Sequence, residues 1–180
     1  MSDEKKKVIY AVKGNEELER ALQRDGKIIF LLKADINSAA ETVERCHAAG
    51  KQVYIHLDLA VGMGKDEAAI RFLAEHIRPD GVLSTKINVV KTAKDYGLRT
   101  IYRVFMIDSQ SMDSAIANIR KYSPDAIEIM PGVAYDAITE IKECVSADII
   151  AGGLIKTVEH AEKAIKSGAV AVSTSCEELW

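Results

Sequence analysis

Two short segments late in the chain carry residue types suited to holding a phosphate. Ala151-Gly152-Gly153-Leu154 closes one apolar run, and Ser173-Thr174-Ser175 closes the next. A glycine pair lets backbone come close to a ligand. A Ser/Thr cluster ahead of a helical pattern supplies hydroxyls and unpaired helix-start amides. In an eight-fold β/α barrel the loops after strands seven and eight form the usual phosphate cradle. Gly152, Gly153, Thr174 and Ser175 are therefore the expected phosphate ligands.

A second set of candidates comes from strand parity. Successive side chains on a strand face opposite ways, so in a barrel one set faces the centre and the other faces the helices. Ile29, Leu31 and Lys33 share a face, as do Tyr54, His56 and Asp58. Arg103 falls in line with Ile101 and Phe105, Glu128 stands between Ile127 and Ile129, and Lys86 follows Ser84. This reading sends Lys33, Asp58, Lys86, Arg103 and Glu128 into one space near the C-terminal mouth. A buried charge is costly unless paired or used by a ligand. Three cations and two carboxylates either neutralise one another or bind a phosphate ester and its hydroxyls.

The elements that would position these residues alternate along the whole chain. Strands are expected at 8–12, 28–33, 53–58, 81–85, 100–105, 126–130, 149–151 and 170–173, with seven full helices between them. Ile70, Leu73, Ala74 and Ile77 mark one buried helix face, and Met112, Ile116 and Ile119 mark another. The eighth helix is barely a turn. Strict β-α alternation demands parallel strands and right-handed crossovers. A weak repeat supports similar quarters: Arg78-Pro79-Asp80-Gly81-Val82 echoes Ser123-Pro124-Asp125-Ala126-Ile127, 45 residues on. Gly50 and Gly97 sit where helices should end. The expected fold is α/β, a minimal (β/α)8 TIM-like barrel over 8–180, after a loose charged tail at 1–7.

Composition narrows the function classes. In 180 residues, 48% apolar content supports a real core, and a net charge of −3 gives no bulk attraction to nucleic acid or anionic membrane. No apolar run approaches a membrane span, and the charged start has no apolar signal core behind it. The expected location is the cytoplasm. Cys46, Cys144 and Cys176 form no C-x-x-C and read as free thiols. His56-x-Asp58 lacks further ligands at metal-binding spacing, so neither a metal nor a cofactor is assigned. Gly62-Met63-Gly64 reads as a flexible loop, and Ser175-Cys176-Glu177-Glu178 fits a helix capping box.

Taken in order, the motifs resemble those of the glycerol uptake operon antiterminators, the glycerol-3-phosphate-responsive regulators. The resemblance rests on His56-Leu57-Asp58-Leu59 with Gly62, and on Ser84-Thr85-Lys86-Ile87-Asn88-Val89-Val90 with Ala93-Lys94. It continues through Arg103-Val104-Phe105 with Asp108-Ser109, and Glu128 with Pro131-Gly132. It ends in Ala151-Gly152-Gly153-Leu154-Ile155-Lys156-Thr157 and Thr174-Ser175 with Leu179-Trp180. The resemblance implies a TIM-like barrel, glycerol 3-phosphate or a similar phosphorylated small molecule as ligand, and leader mRNA of glycerol genes as partner. It adds Gly132 to the ligand set. RNA binding rests on the resemblance alone, because the chain shows no RNA-recognition signature.

The residues leave a second class open: a small barrel enzyme, an isomerase, lyase or aldolase acting on a phosphorylated metabolite. Lys33 or Lys86 would form the Schiff base and Glu128 would act as base. A third reading is a phosphometabolite-binding protein with neither activity. The sequence does not fix an oligomeric state, and a homo-oligomer remains open.

Overall fold

Eight parallel strands close on themselves in chain order, each hydrogen-bonded to its sequence neighbours and the last to the first. The structure, a computed structural model, describes residues 7–180. The expected loose tail falls on 1–7, so all of it but Lys7 lies outside the described residues. The strands are β1 (Val8–Val12), β2 (Ile28–Leu31), β3 (Gln52–His56), β4 (Gly81–Ser84), β5 (Arg99–Phe105), β6 (Ala126–Met130), β7 (Asp148–Gly152) and β8 (Ala171–Thr174). Between them run α1 (Asn15–Leu22), α2 (Ala39–Ala48), α3 (Glu67–Phe72), α4 (Ile87–Asp95), α5 (Ser109–Tyr122), α6 (Tyr135–Cys144) and α7 (Val158–Lys166). The α3 helix runs on into a wider π turn at Leu73–Ile77. The minimal (β/α)8 barrel is the observed architecture.

Two layers of apolar packing hold it. Ile9, Phe30, Tyr54, Leu83, Ile101 and Ile150, from six different strands, fill the barrel interior. The opposite faces pack under the helices. Val12, Ile29, Leu31, Val53 and Ile55 meet Leu18, Ala21, Val43 and Cys46 on one side. Val104, Ile127, Ile129 and Ile149 meet Ala115, Ile119, Ile138 and Ile141 on the other. Each Val, Leu, Ile or Phe among them contributes about 1.5–3 kcal/mol on full burial. Burial also pushes the Cys46 thiol up to about 11, which keeps it protonated and inert.

The sequence repeat is a repeated fastening at the N-terminal end of the barrel. Arg78 and Ser123 end their helices at φ of 56° and 47°. Proline follows each, and then an aspartate binds backward. Asp80 Oδ2 accepts from the Val53 amide at 2.8 Å, and Asp125 Oδ2 accepts from the Thr100 amide at 2.8 Å. Gly50 and Gly97 close α2 and α4 at φ of 68° and 76°.

After β8 the chain makes one 3-10 turn, Glu177–Leu179. The Trp180 ring stacks on Tyr10 at 4.9 Å, and its Nε1 donates to the Thr174 carbonyl at 2.9 Å. The capping box expected of Ser175 and Glu178 does not form. The turn begins after Cys176 with no side-chain cap, and Glu178 accepts from the Cys176 thiol instead.

Candidate functional site

At the C-terminal end the barrel interior turns from apolar to charged. Arg103 on β5 and Glu128 on β6 are direct register partners. Arg103 Nε donates to Glu128 Oε2 at 2.5 Å, and the Ser173 hydroxyl on β8 donates to Glu128 Oε1. Glu128 is 1% exposed. Its carboxylate lies over Gly152 on β7, where a Cβ would stand 2.8 Å from Glu128 Cδ and 2.7 Å from Ser173 Oγ. Gly152 is thus the residue that makes room for the pair. A buried carboxylate of this kind persists only with its charge and lone pairs answered, which Arg103 and Ser173 do.

On the far side of Arg103 stands His56, at the end of β3. Arg103 Nη1 lies 3.5 Å from His56 Nε2, and Asp58 Oδ2 lies 3.7 Å from that same nitrogen. Burial, and then the neighbouring Arg103 charge, push the imidazole down to about 4, so it is neutral near pH 7. With Nε2 turned to a cationic donor, the ring proton belongs on Nδ1. That Nδ1 is the one buried side-chain nitrogen or oxygen without a partner among the described residues. Asp58 follows on a short turn. Burial pushes its carboxyl up, but the Thr85 amide and the Ser84 and Thr85 hydroxyls outweigh burial and hold it below its ordinary value. These three bonds measure 2.6, 2.9 and 2.9 Å.

The guanidinium has an open side. Its Nη2 meets no protein acceptor among the described residues, and it is not among the fully buried atoms that lack one. At the same end of the barrel the β7 and β8 loops stand side by side. Gly152 is in register with Ser173, and Thr174 Oγ1 donates to the Ile155 carbonyl at 2.6 Å. Gly153 and Leu154 take the left-handed conformation in succession, at φ of 74° and 60°. The amides of Gly153, Leu154 and Ser175 donate to no protein acceptor among the described residues. Consecutive amides of this sort form an anion-binding concavity. The Thr174 hydroxyl is already engaged, since it also accepts from the Cys176 amide at 3.0 Å.

The candidates read from the sequence therefore divide. Asp58, Arg103, Glu128 and Gly152 come together in the mouth, with Gly153, Thr174 and Ser175 in the loops above. Gly132, beside a cis Met130–Pro131 bond, spends its amide on the Gly152 and Gly153 carbonyls at 2.5 and 3.0 Å and braces the β7 loop from below. Lys33 does not share the inward face of its strand. Phe30 fills the interior while Ile29 and Leu31 pack under helices, and Lys33 is exposed beyond the end of β2. Lys86 is exposed at the rim, immediately before α4. Only one of the three expected cations enters the buried cluster. Parity reasoning passed over His56 and Ser173 because neutral side chains raise no charge alarm. His56 was legible on the same face as Tyr54 and Asp58.

Comparison with known proteins finds relatives of this chain. A family model described as glycerol-3-phosphate responsive antiterminator matches residues 8–180. A glycerol uptake operon antiterminator regulatory protein from Listeria monocytogenes has a similar crystal structure, with TM-score 0.94 and 35% identity, covering 100% of this chain and 97% of that one. A glycerol uptake operon antiterminator-related protein from Thermotoga maritima superposes with TM-score 0.86 at 28% identity, covering 97% of this chain and 98% of that one. An aldolase, QR15, superposes with TM-score 0.78 at 14% identity over 98% of this chain and 93% of that one, a likeness of fold alone.

Proposed function

The chain belongs to the glycerol-3-phosphate responsive antiterminator family, and from that premise we propose a regulator that binds glycerol 3-phosphate at the C-terminal mouth. It answers the ligand by acting on leader mRNA of glycerol-utilisation genes as a transcription antiterminator, in the cytoplasm where transcripts are made. One observation supports the ligand half above the others. An Arg103 edge without a protein acceptor among the described residues lies at the same end of the barrel as two adjacent loops whose Gly153, Leu154 and Ser175 amides also lack one there. A guanidinium and unpaired amides suit a phosphate monoester. Lys33 and Lys86, exposed just past the ends of β2 and β4, add positive charge at that end of the barrel.

The enzyme alternative loses its central residue. None of the eight strands carries a lysine, and Lys33 and Lys86 both stand exposed past strand ends. A Schiff-base lysine needs a desolvated pocket or a neighbouring cation to lower its pKa. Glu128, the base of that alternative, already has one hydrogen bond on each oxygen. Among the described residues no helix is long and apolar enough to cross a membrane.

Incubation with glycerol 3-phosphate, followed by recovery of the ligand and mass measurement of the borohydride-treated protein, separates the two classes. A regulator returns the ligand unchanged and gains no mass. A stable adduct on lysine, or a converted ligand, contradicts the proposal.

A further inference from the structure

The N-terminal end of the barrel holds a hollow that the proposed function does not use. The even strands β2, β4, β6 and β8 begin with Ile28, Gly81, Ala126 and Ala171. These residues share the faces of Phe30, Leu83, Glu128 and Ser173, which look into the barrel, so they form its lowest interior layer. Such layers are filled mostly by bulky branched side chains, yet three of these four are glycine or alanine. The Tyr54 ring takes up the space at Gly81, where a Cβ would stand 2.7 Å from it. A cavity of about 280 Å³ remains, lined by Ile9, Phe30, Ile101 and Ile150 as well as by Ala126 and Ala171.

Opposite charges line the way in. Arg99 begins β5 and Asp148 begins β7, on the faces of Ile101 and Ile150. Both line the cavity and both are exposed. Neither enters a salt bridge among the described residues. The Tyr54 hydroxyl raises the Arg99 guanidinium above its ordinary value, and Asp125 and Asp80 add to this through space. Asp125 also lines the cavity, but its Oδ2 is held by the Thr100 amide and hydroxyl.

Volume and charge together select the occupant. The cavity falls just under the roughly 300–1,000 Å³ of common small-molecule sites, which calls for a small ligand. The isoleucines and Phe30 suit an apolar body. A bare carboxylate would answer Arg99 but meet Asp125 and Asp148 as like charges, and a bare amine would answer Asp148 but meet Arg99. A molecule carrying both charges complements both. Arg99 and Asp148 stand two strands apart, about 10 Å between backbones, a gap that an arginine side chain and a small zwitterion span together.

We propose that this hollow is a second small-molecule site, for an apolar α-amino acid, with its side chain inside the barrel, its ammonium on Asp148 and its carboxylate on Arg99. None of the residues lining it belongs to the mouth, so the site stands whatever ligand the mouth takes.

Calorimetric titration with L-leucine and L-phenylalanine should show saturable binding of at least one of them. Analogues of the tighter binder that lack the ammonium, or lack the carboxylate, bind about tenfold or more weaker, the scale of one hydrogen bond to a charged group. Asp148→Asn, at an exposed position, weakens the amino acid by a similar factor and does not weaken the ammonium-free analogue. Ala126→Leu fills the hollow and abolishes binding. No saturable binding of either amino acid overturns the proposal. So does equal affinity for the ammonium-free analogue, and so does wild-type affinity in Asp148→Asn and Ala126→Leu. A change from dimer to monomer on Ala126→Leu, with no amino acid bound by the wild-type chain, overturns it as well and gives the hollow to a second copy.

Discussion

Arg103 and Glu128 face each other across neighbouring strands, in register and joined by a 2.5 Å hydrogen bond. The barrel thus buries its acid already neutralised and leaves the other edge of the guanidinium for the mouth. Opening the pair from the acid side exposes its structural share. Glu128→Gln leaves Arg103 without its counter-charge at a cost of about 3 kcal/mol, the low end for a broken buried pair because Arg103 reaches the surface. For a domain of this size that lowers Tm by roughly 10 °C. A calorimetric scan showing an unchanged Tm would mean the pair contributes nothing to the fold.

Gly152→Ala presses a methyl group into the Glu128 carboxylate and the Ser173 hydroxyl. Overpacking of this kind costs about 1–3 kcal/mol. Gly14→Ala is the matched control, since a Cβ there meets nothing within 4 Å, and it shifts stability by less than about 0.5 kcal/mol. Urea midpoints of the two variants check the contrast. Equal midpoints would remove Gly152 from its role beneath the pair.

The His56 imidazole makes stability depend on pH. Its folded value near 4 lies below the ordinary 6.5, so between those values the unfolded chain binds the extra proton. Stability is therefore full above about pH 6.5 and is lost as pH falls toward 4, by roughly 3 kcal/mol. In His56→Gln that portion of the pH dependence disappears. Urea unfolding at pH 7 and pH 4.5 reads the difference. Parallel losses in wild type and variant would show that His56 is not the titrating group.

Most of the architecture was legible, because strand and helix periods alternate without interruption and turn residues mark the joints. The inward set was harder. Ile28-Ile29-Phe30-Leu31-Leu32 is apolar on both faces, as a strand buried on both sides must be, so nothing local says whether the odd or even positions face the centre. Lys33 was drawn inward by its charge, whereas the bulk of Phe30 decides the parity. Arg103 and Glu128 were found because an isolated charge in a β-branched run has few places to go. Ser173 needed the closed ring of strands, since the contact that defines it comes from Glu128 on β6; His56 was legible on its face, and only its contact with Arg103 on β5 needed the ring.

The repeated x-Pro-Asp fastening gives a stability effect remote from the mouth. Asp125 binds both the amide and the hydroxyl of Thr100, each at 2.8 Å, and Thr100 is fully buried. Asp125→Ala leaves those groups unsatisfied, at about 1–3 kcal/mol, with no change in ligand affinity. Urea unfolding and a glycerol 3-phosphate titration on the same variant check both halves. Altered affinity would mean the two ends of the barrel are coupled.

The most direct test of the account is calorimetric titration of glycerol 3-phosphate into wild type and Arg103→Lys, with Tm measured on both. Wild type should bind saturably at one site per chain. A lysine keeps the charge but cannot span Glu128 and a phosphate with one planar fork. Arg103→Lys should therefore weaken binding by about 1.5–3 kcal/mol, the scale of a charged hydrogen bond, in a protein that still folds. Wild-type affinity in Arg103→Lys together with a lowered Tm would make Arg103 a structural partner of Glu128 alone, and would contradict the site.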